Sequence, residues 1–178
     1  MGVSGLRVQF VHGLEGSPQG SKARLFAEHF DARTPEMETR DRRSCIEVQR
    51  RTLEEFRPDV LVGSSFGAAV VVDLLRGGHW CGPTLLLAQA AVHYDPEVEL
   101  PEGVPVWLVH GSGDTLVDPE HSRRLACTGS PDLVRLIEVE DDHSLHDLTS
   151  GGKLVKIVRE LASSASPEEG RETPPFRE

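Results

Sequence analysis

Residues 59–76 read DVLVGSSFGAAVVVDLLR, and this stretch predicts a strand, a tight turn and a helix in immediate succession. Residues 59–63 form a short, nearly continuous apolar run, which is typical of a strand that is covered on both faces of a sheet. Residues 66–75 predict an apolar helix that the following pair of glycines ends. The turn between them, residues 63–67, fits the pattern G-x-S-x-G. A strand-to-helix turn of this kind lifts the hydroxyl of its central serine above the edge of the sheet.

Short apolar runs and amphipathic stretches alternate along the rest of the chain. This alternation predicts a single α/β domain with a mostly parallel sheet and helices on both faces. The domain is expected over residues 1–162, and a disordered tail over the polar, proline-rich residues 163–178. The predicted strands are residues 6–12, 59–63, 84–90, 104–110 and 133–139. The predicted helices are residues 19–30, 44–56, 66–75, 119–127 and 152–162.

Local signals at the ends of these elements carry further expectations. Ser44 is the expected N-cap of the second helix, with Glu47 completing a capping box. Asp118 is the expected N-cap of the fourth helix. Residues 31–43 predict at most one short edge strand, and residues 91–104 predict a loop.

The size and charge of the chain limit what it is expected to bind. Its 178 residues suffice for one domain. It carries 19 basic against 29 acidic residues, a net charge of -10, and its aromatic content is 5%. This composition argues against nucleic acid as a partner, since such binding needs clustered cations or stacking aromatics. No apolar run approaches a membrane span, so we expect no membrane partner, and the sequence indicates no oligomeric state.

Cysteine spacing and short motifs indicate the compartment and the absence of cofactors. Cys45, Cys81 and Cys127 are scattered and fit neither a disulfide framework nor a zinc site. The first residues lack the basic and apolar regions of a signal peptide. We therefore expect a cytoplasmic protein. No GxGxxG, P-loop or HExxH motif occurs, so neither a cofactor nor a metal is expected.

A serine, an acid and a histidine follow predicted strands in this order along the chain. They are Ser65, Asp114 in HGSGDTLVD at 110–118, and His143 in DDHSL at 141–145. The carboxyl ends of parallel strands meet at one edge of a sheet, where ligands bind. A serine hydroxyl becomes a nucleophile only beside a base that an acid orients, and these three residues are the catalytic candidates. Other residues remain alternatives for the base and the acid, namely His146, Asp118, Asp141 and Asp142.

The loop after the first strand and the start of the third helix offer donors for an oxyanion hole. The candidate donors are the backbone N–H groups of Leu14 and Phe66. His12 and Gly13 shape the loop, and His12 is expected to brace it by a hydrogen bond rather than act as a second base. The remaining candidate substrate contacts lie in loops that face Ser65, namely Gln89, His93, Tyr94, Val117 and Leu145.

Four motifs together resemble the α/β-hydrolase superfamily: VHGLEG at 11–16, GSSFG at 63–67, HGSGDTLVD at 110–118 and DDHSL at 141–145. The chain looks most similar to the compact, lid-less bacterial esterases of the YqiA type. The resemblance implies an α/β-hydrolase fold, with nucleophile, acid and base as assigned above. Larger lipases insert a cap domain after the strand that ends near residue 90, and this chain departs from them because it has only the segment at 91–104 there. Our hypothesis is a serine hydrolase that cleaves a small carboxylic ester through an acyl-enzyme. Ser64 departs from the pattern, since many relatives carry a bulkier polar residue there.

Two other functions stay open at this point. One is a thioesterase or acyltransferase reaction at the same site, and the other is a hydrolase-like binding module without turnover. For an esterase, the short segment at 91–104 predicts an open, shallow pocket. We therefore expect a preference for esters of about two to six carbons in the acyl group.

Overall fold

The computed structural model describes residues 5–165, which fold into a six-stranded sheet with helices on both faces. The strands are β1 (Arg7–Val11), β2 (Asp31–Arg33), β3 (Val60–Ser64), β4 (Thr84–Leu87), β5 (Val106–Gly111) and β6 (Val134–Val139). The helices are α1 (Ser21–His29), α2 (Arg42–Phe56), α3 (Phe66–Arg76), α4 (Ala91–Tyr94), α5 (Pro119–Ala126), α6 (His146–Ser150) and α7 (Lys153–Ala165).

The sheet has the order β2-β1-β3-β4-β5-β6, and each pair of neighbouring strands is parallel. This confirms the predicted α/β class. The chain builds outward from β1 to β2, then returns to place β3 on the other side of β1. The carboxyl ends of β1 and β3, where Val11 pairs with Gly63, therefore flank the point at which the strand order reverses. Open α/β sheets bind their ligands at such a point.

The core forms two layers, because successive side chains of each buried strand point to opposite faces of the sheet. On β3, Leu61 packs into the layer under α2, α3, α4 and α5. Val60 and Val62 pack into the layer under α1, α6 and α7. Helix α3 is buried along almost its whole length, which explains its continuous apolar sequence. No helix among residues 5–165 is both long and apolar enough to cross a membrane.

Several boundaries differ from the sequence predictions. The N-cap of α2 is Asp41 and not Ser44, because the Asp41 carboxylate accepts the backbone N–H of Ser44 at 3.1 Å. The expected cap of α5 is confirmed, since Asp118 accepts the N–H of Glu120 at 2.9 Å. Strand β4 ends early, where Ala88 adopts a φ of 43°.

Two short helices replace predicted loop, and the last helix is longer than predicted. The four residues of α4 and the five of α6 are too short to show a helical period in the sequence. Helix α7 continues through residues 163–165, so the expected tail cannot begin at residue 163. The rest of that predicted tail, residues 166–178, lies outside the described residues.

Candidate active site

Ser65 occupies a strained turn between β3 and α3. Its φ of 55° and ψ of -118° lie in a region that side-chain-bearing residues rarely adopt. Two backbone hydrogen bonds hold it there. Its N–H donates to the carbonyl of Leu87 at 2.9 Å, and its own carbonyl accepts the N–H of Ala90 at 3.2 Å. The turn is therefore fixed from β4, and the Ser65 side chain is directed into the cavity at the edge of the sheet.

The two glycines of the G-x-S-x-G turn are needed for close packing. A methyl group on Gly63 would lie 2.7 Å from the Cα of Ala68. A methyl group on Gly67 would overlap the carbonyl oxygen of Val11 at the end of β1. Helix α3 therefore packs directly against both strands, which stabilises the strained backbone between the glycines.

A continuous line of hydrogen bonds joins Ser65, His143 and Asp114. His143 Nδ1 lies 2.7 Å from Oδ2 of Asp114, and His143 Nε2 lies 3.0 Å from the Ser65 hydroxyl. The carboxylate can only accept, so Nδ1 carries the proton and Nε2 is free to accept from Ser65. The structure thus brings together the three residues that the sequence singled out, in the geometry of a nucleophile, base and acid.

Asp114 is positioned by the turn that follows β5. Its Oδ1 accepts the backbone N–H groups of Leu116 at 2.9 Å and of Val117 at 2.8 Å. Burial alone would raise the pKa of Asp114, but the hydrogen bonds from Val117, His143 and Leu116 outweigh it and lower that pKa. The carboxyl group is therefore ionised at neutral pH although its side chain is inaccessible to solvent.

The neighbouring acids hold the His143 loop in place. The Asp142 carboxylate accepts from the N–H of Ser144 at 2.9 Å and from its hydroxyl at 2.6 Å. The Asp141 carboxylate accepts the N–H of Leu148 in α6 at 2.9 Å. Asp142 thus caps the loop, and Asp141 caps the start of α6. His146, the alternative base, lines a separate groove beside α1.

Lys22 ties α1 to the same loop. Its Nζ donates to the carbonyl oxygen of Ser144 at 2.5 Å, across 122 positions of sequence. Burial lowers the pKa of Lys22, and the nearby carboxylates of Asp141 and Asp142 oppose that shift. The sequence reasoning missed this contact, because nothing local to residue 22 indicates a partner so distant in the chain.

The loop after β1 lies against the strained turn, as expected for an oxyanion hole. A methyl group on Gly13 would come within 3.3 Å of the Ser65 Cβ. Phe66 is the first residue of α3, and its N–H belongs to the helix turn that lacks intrahelical acceptors. His12 Nδ1 lies 2.9 Å from the Gly13 carbonyl and braces this loop. The other ring nitrogen of His12 is buried without a hydrogen-bond partner among residues 5–165.

A cavity of about 560 Å³ opens above Ser65 and His143. Seven of the predicted binding or oxyanion residues line it, namely His12, Gly13, Leu14, Phe66, His93, Tyr94 and Val117. The lining also includes residues that the sequence reasoning missed, namely Lys22, Ala90, Leu116 and Ser144.

Two predicted substrate contacts, Gln89 and Leu145, are wrong. Gln89 is fully buried: its amide oxygen accepts the N–H of Ala91 at 2.8 Å and its nitrogen donates to Ser122. Leu145 is also fully buried, and it packs in the core layer under α7. Leu145 adopts a φ of 53°, in the left-handed region, which a sequence pattern does not reveal.

No group of three or more His, Cys, Asp or Glu side chains that could hold a metal ion occurs within the described part of the chain.

Comparison with known proteins gives structural matches only. No family model matches the chain, and neither does any curated protein sequence. A protein assigned to the hydrolases of the alpha/beta superfamily, from Xanthomonas campestris pv. campestris, is 20% identical with a TM-score of 0.72, over 89% of this chain and 97% of that chain. Alpha/beta hydrolase domain-containing protein 10 from mouse is 15% identical with a TM-score of 0.76, over 90% of each chain.

A monoacylglycerol lipase from Paleococcus ferrophilus is similar as well. It is 16% identical with a TM-score of 0.66, over 88% of this chain and 94% of that chain. The narrower resemblance to esterases of the YqiA type stays a prediction, since these matches do not test it. Near-complete coverage of each chain, together with the parallel sheet and the strained serine turn, shows that this protein has the α/β-hydrolase fold.

Proposed function

We propose that this protein is a serine hydrolase that cleaves a small carboxylic ester through an acyl-enzyme intermediate. One observation carries the proposal. Within a cavity large enough for a small molecule, the Ser65 hydroxyl lies 3.0 Å from His143, which lies 2.7 Å from the ionised Asp114. This is the arrangement that turns a weak hydroxyl nucleophile into a reactive one.

The reaction follows from the direction of these hydrogen bonds. Ser65 Oγ attacks the ester carbonyl carbon while His143 Nε2 takes the hydroxyl proton, and Asp114 stabilises the resulting imidazolium. The negative charge on the former carbonyl oxygen is stabilised by the N–H groups of Leu14 and Phe66. The ester C–O bond then breaks, and His143 returns its proton to the departing alcohol. A water molecule repeats the sequence on the acyl-serine, which releases the acid and restores Ser65.

The strained backbone of Ser65 favours catalysis over the alternative of a binding module. A φ of 55° at a residue with a side chain costs free energy, and a turn that only holds a ligand gains nothing from that cost. A thioesterase or acyltransferase would use the same acylation step, with a thiol leaving or a second alcohol attacking. These activities therefore belong in the same substrate panel.

The rim of the cavity supports an uncharged substrate with an apolar group. Within residues 5–165, four large hydrophobic side chains are exposed. Three of them, Leu14, Tyr94 and Leu116, line the cavity. The volume of about 560 Å³ lies within the range of roughly 300–1,000 Å³ that is common for small-molecule sites. The pocket is therefore larger than the short loop at 91–104 led us to expect.

We also propose that the protein acts in the cytoplasm. Cys45, Cys81 and Cys127 are unpaired, which fits a reducing compartment. The proposal is tested by fractionation of cells that express the full chain with a small tag, where recovery in an extracellular fraction would contradict it.

Covalent labelling tests the proposed function. The protein is treated with a fluorophosphonate, and turnover is measured on p-nitrophenyl esters of graded chain length, an acyl-CoA and a monoacylglycerol. Ser64→Ala is the matched control for Ser65→Ala, because both remove a neighbouring hydroxyl from the same turn. We expect the label on Ser65, and a loss in kcat on the order of 10³-fold or more only for Ser65→Ala. A label on Ser64, or the absence of any label, contradicts the proposal.

A further inference from the structure

A second histidine contacts Asp114 from the side away from Ser65. His110 lies in β5 and is fully buried. Its Nε2 lies 3.0 Å from Oδ2 of Asp114, the same oxygen that bonds His143. The same Nε2 lies 3.0 Å from the carbonyl oxygen of Val117, and Nδ1 lies 2.6 Å from the Ser122 hydroxyl. His110 is thus enclosed by polar partners on both ring nitrogens.

These partners fix the direction of every hydrogen bond. The Val117 carbonyl and the Asp114 carboxylate can only accept, so Nε2 of His110 carries the proton. Nδ1 of the neutral ring then accepts from the Ser122 hydroxyl, whose oxygen accepts from the Gln89 amide at 3.2 Å. The Nε2–H is directed at the Val117 carbonyl, and the network therefore runs from Gln89 through Ser122 and His110 to the turn that binds Asp114.

We propose that His110 is a positioning residue, which holds the turn at residues 114–117 so that the Asp114 carboxylate faces His143. The inference rests on the proposed function, since positioning concerns the base of that reaction. Oδ1 of Asp114 accepts the two backbone N–H groups of the turn. His110 fixes that turn by donating its Nε2–H to the Val117 carbonyl, and the same nitrogen lies 3.0 Å from Oδ2 of Asp114. The carboxylate is therefore held in place independently of His143, whose side chain is 21% exposed.

The network also explains why Gln89 and Ser122 are buried although neither reaches the cavity. A buried polar side chain costs free energy unless its hydrogen-bonding groups are paired. Ser122 pairs with Gln89 on one side and with His110 on the other. Together they hold the His110 ring in the tautomer whose Nε2–H donates to the Val117 carbonyl.

Two amide variants separate positioning from packing. In His110→Gln the longer side chain can place an N–H donor where Nε2 lies, whereas in His110→Asn the amide reaches only the position of Nδ1. We expect the Asn variant to lose about tenfold in kcat with KM changed by less than about twofold, as for the loss of one buried hydrogen bond. The Gln variant should recover most of that loss.

A third variant controls for the loss of stability alone. Gln49→Leu breaks a buried hydrogen-bonded pair with Gln9 of β1, and strands β3 and β4 separate β1 from β5, the strand that precedes Asp114. It should lower Tm without changing kcat. If His110→Asn and His110→Gln give the same kcat as the wild type while Tm falls as in Gln49→Leu, His110 only packs and the proposal is overturned.

A spectroscopic readout keeps this test independent of turnover. The proton between His143 Nδ1 and Asp114 gives a downfield ¹H NMR signal, which is assigned by its loss in His143→Gln. We expect this signal to shift in His110→Asn and to return close to its wild-type position in His110→Gln. An unchanged signal in both variants overturns the proposal even if the protein hydrolyses esters. A shifted signal in a protein that no fluorophosphonate labels would support the positioning and contradict the proposed hydrolase function.

Discussion

Replacing Asp114 by Asn should invert the tautomer of His143. The two N–H groups that bind Oδ1 can only be satisfied by the amide oxygen, so the amide nitrogen must take the place of Oδ2. That nitrogen then donates to His143 Nδ1, which moves the imidazole proton to Nε2, 3.0 Å from the Ser65 hydroxyl. The ring can no longer accept the serine proton. The amide nitrogen also lies beside Nε2 of His110, which carries a proton and offers no acceptor.

The expected loss in kcat for Asp114→Asn is about 10⁴-fold, as for a triad whose base is held in the wrong tautomer. This corresponds to about 5.4 kcal/mol of transition-state stabilisation. Steady-state turnover of p-nitrophenyl acetate measures it, and the rate of fluorophosphonate labelling gives an independent value. Asp142→Asn is the matched control, because Asp142 adjoins His143 and its amide oxygen can still accept from Ser144. Its kcat should stay within about twofold of wild type. A kcat for Asp114→Asn within tenfold of wild type would refute the assignment of Asp114 as the acid.

Three further outcomes are expected. The value of kcat/KM should fall in acid, because the reaction needs a neutral imidazole as its base, while the lowered pKa of Asp114 keeps the acid ionised. A flat profile between about pH 5 and 8 would count against a histidine base. The pKa of Asp114 is lower in the folded state, so the ionised carboxylate stabilises the fold at pH values above the ordinary aspartate pKa of about 3.9. The difference in unfolding free energy between wild type and Asp114→Asn should therefore shrink as the pH falls through and below this value. Urea unfolding at several pH values tests this prediction, and a constant difference would contradict it. Leu116→Ser should raise KM for p-nitrophenyl hexanoate about fivefold more than KM for the acetate. The Leu116 side chain is 74% exposed at the cavity rim, and its burial against an acyl chain contributes about 1 kcal/mol. Leu133→Ser is the control, because Leu133 is exposed outside that lining, and it should change neither KM.

The sequence allowed the central residues of the site to be predicted because each of them lies in the segment that follows a strand. Ser65, Asp114 and His143 come after β3, β5 and β6, and parallel strands deliver their carboxyl ends to one edge. The same rule was wrong for Gln89 and Leu145. Position after a strand does not fix the direction of a side chain where the backbone turns into positive φ, as at Leu145 and at Ala88 beside Gln89.

His110 is the first residue of the motif at 110–118, but the sequence indicates no role for it, and the reason is physical. Its partners are a carboxylate four residues on and a hydroxyl on the next helix, and their approach depends on how the turn after β5 folds back. A histidine in a buried strand is equally compatible with several partners, and only the positions of Asp114, Val117 and Ser122 decide among them. Polar networks of this kind cannot be predicted from spacing alone.

One side of the cavity is formed by a short helix that the sequence did not reveal. Helix α4 places Tyr94 with its ring centroid 5.8 Å from that of Phe66, beside the candidate nucleophile. The Arg42 guanidinium lies 5.0 Å above the Tyr94 ring and bonds the Asp73 carboxylate at 2.6 Å, so the tyrosine is held from α2 and α3 as well. His93 and Tyr94 of α4 thus form one wall of the cavity. The range of acyl groups should therefore depend on the wall at Tyr94 and on the leucines at the rim, rather than on the length of the segment after β4.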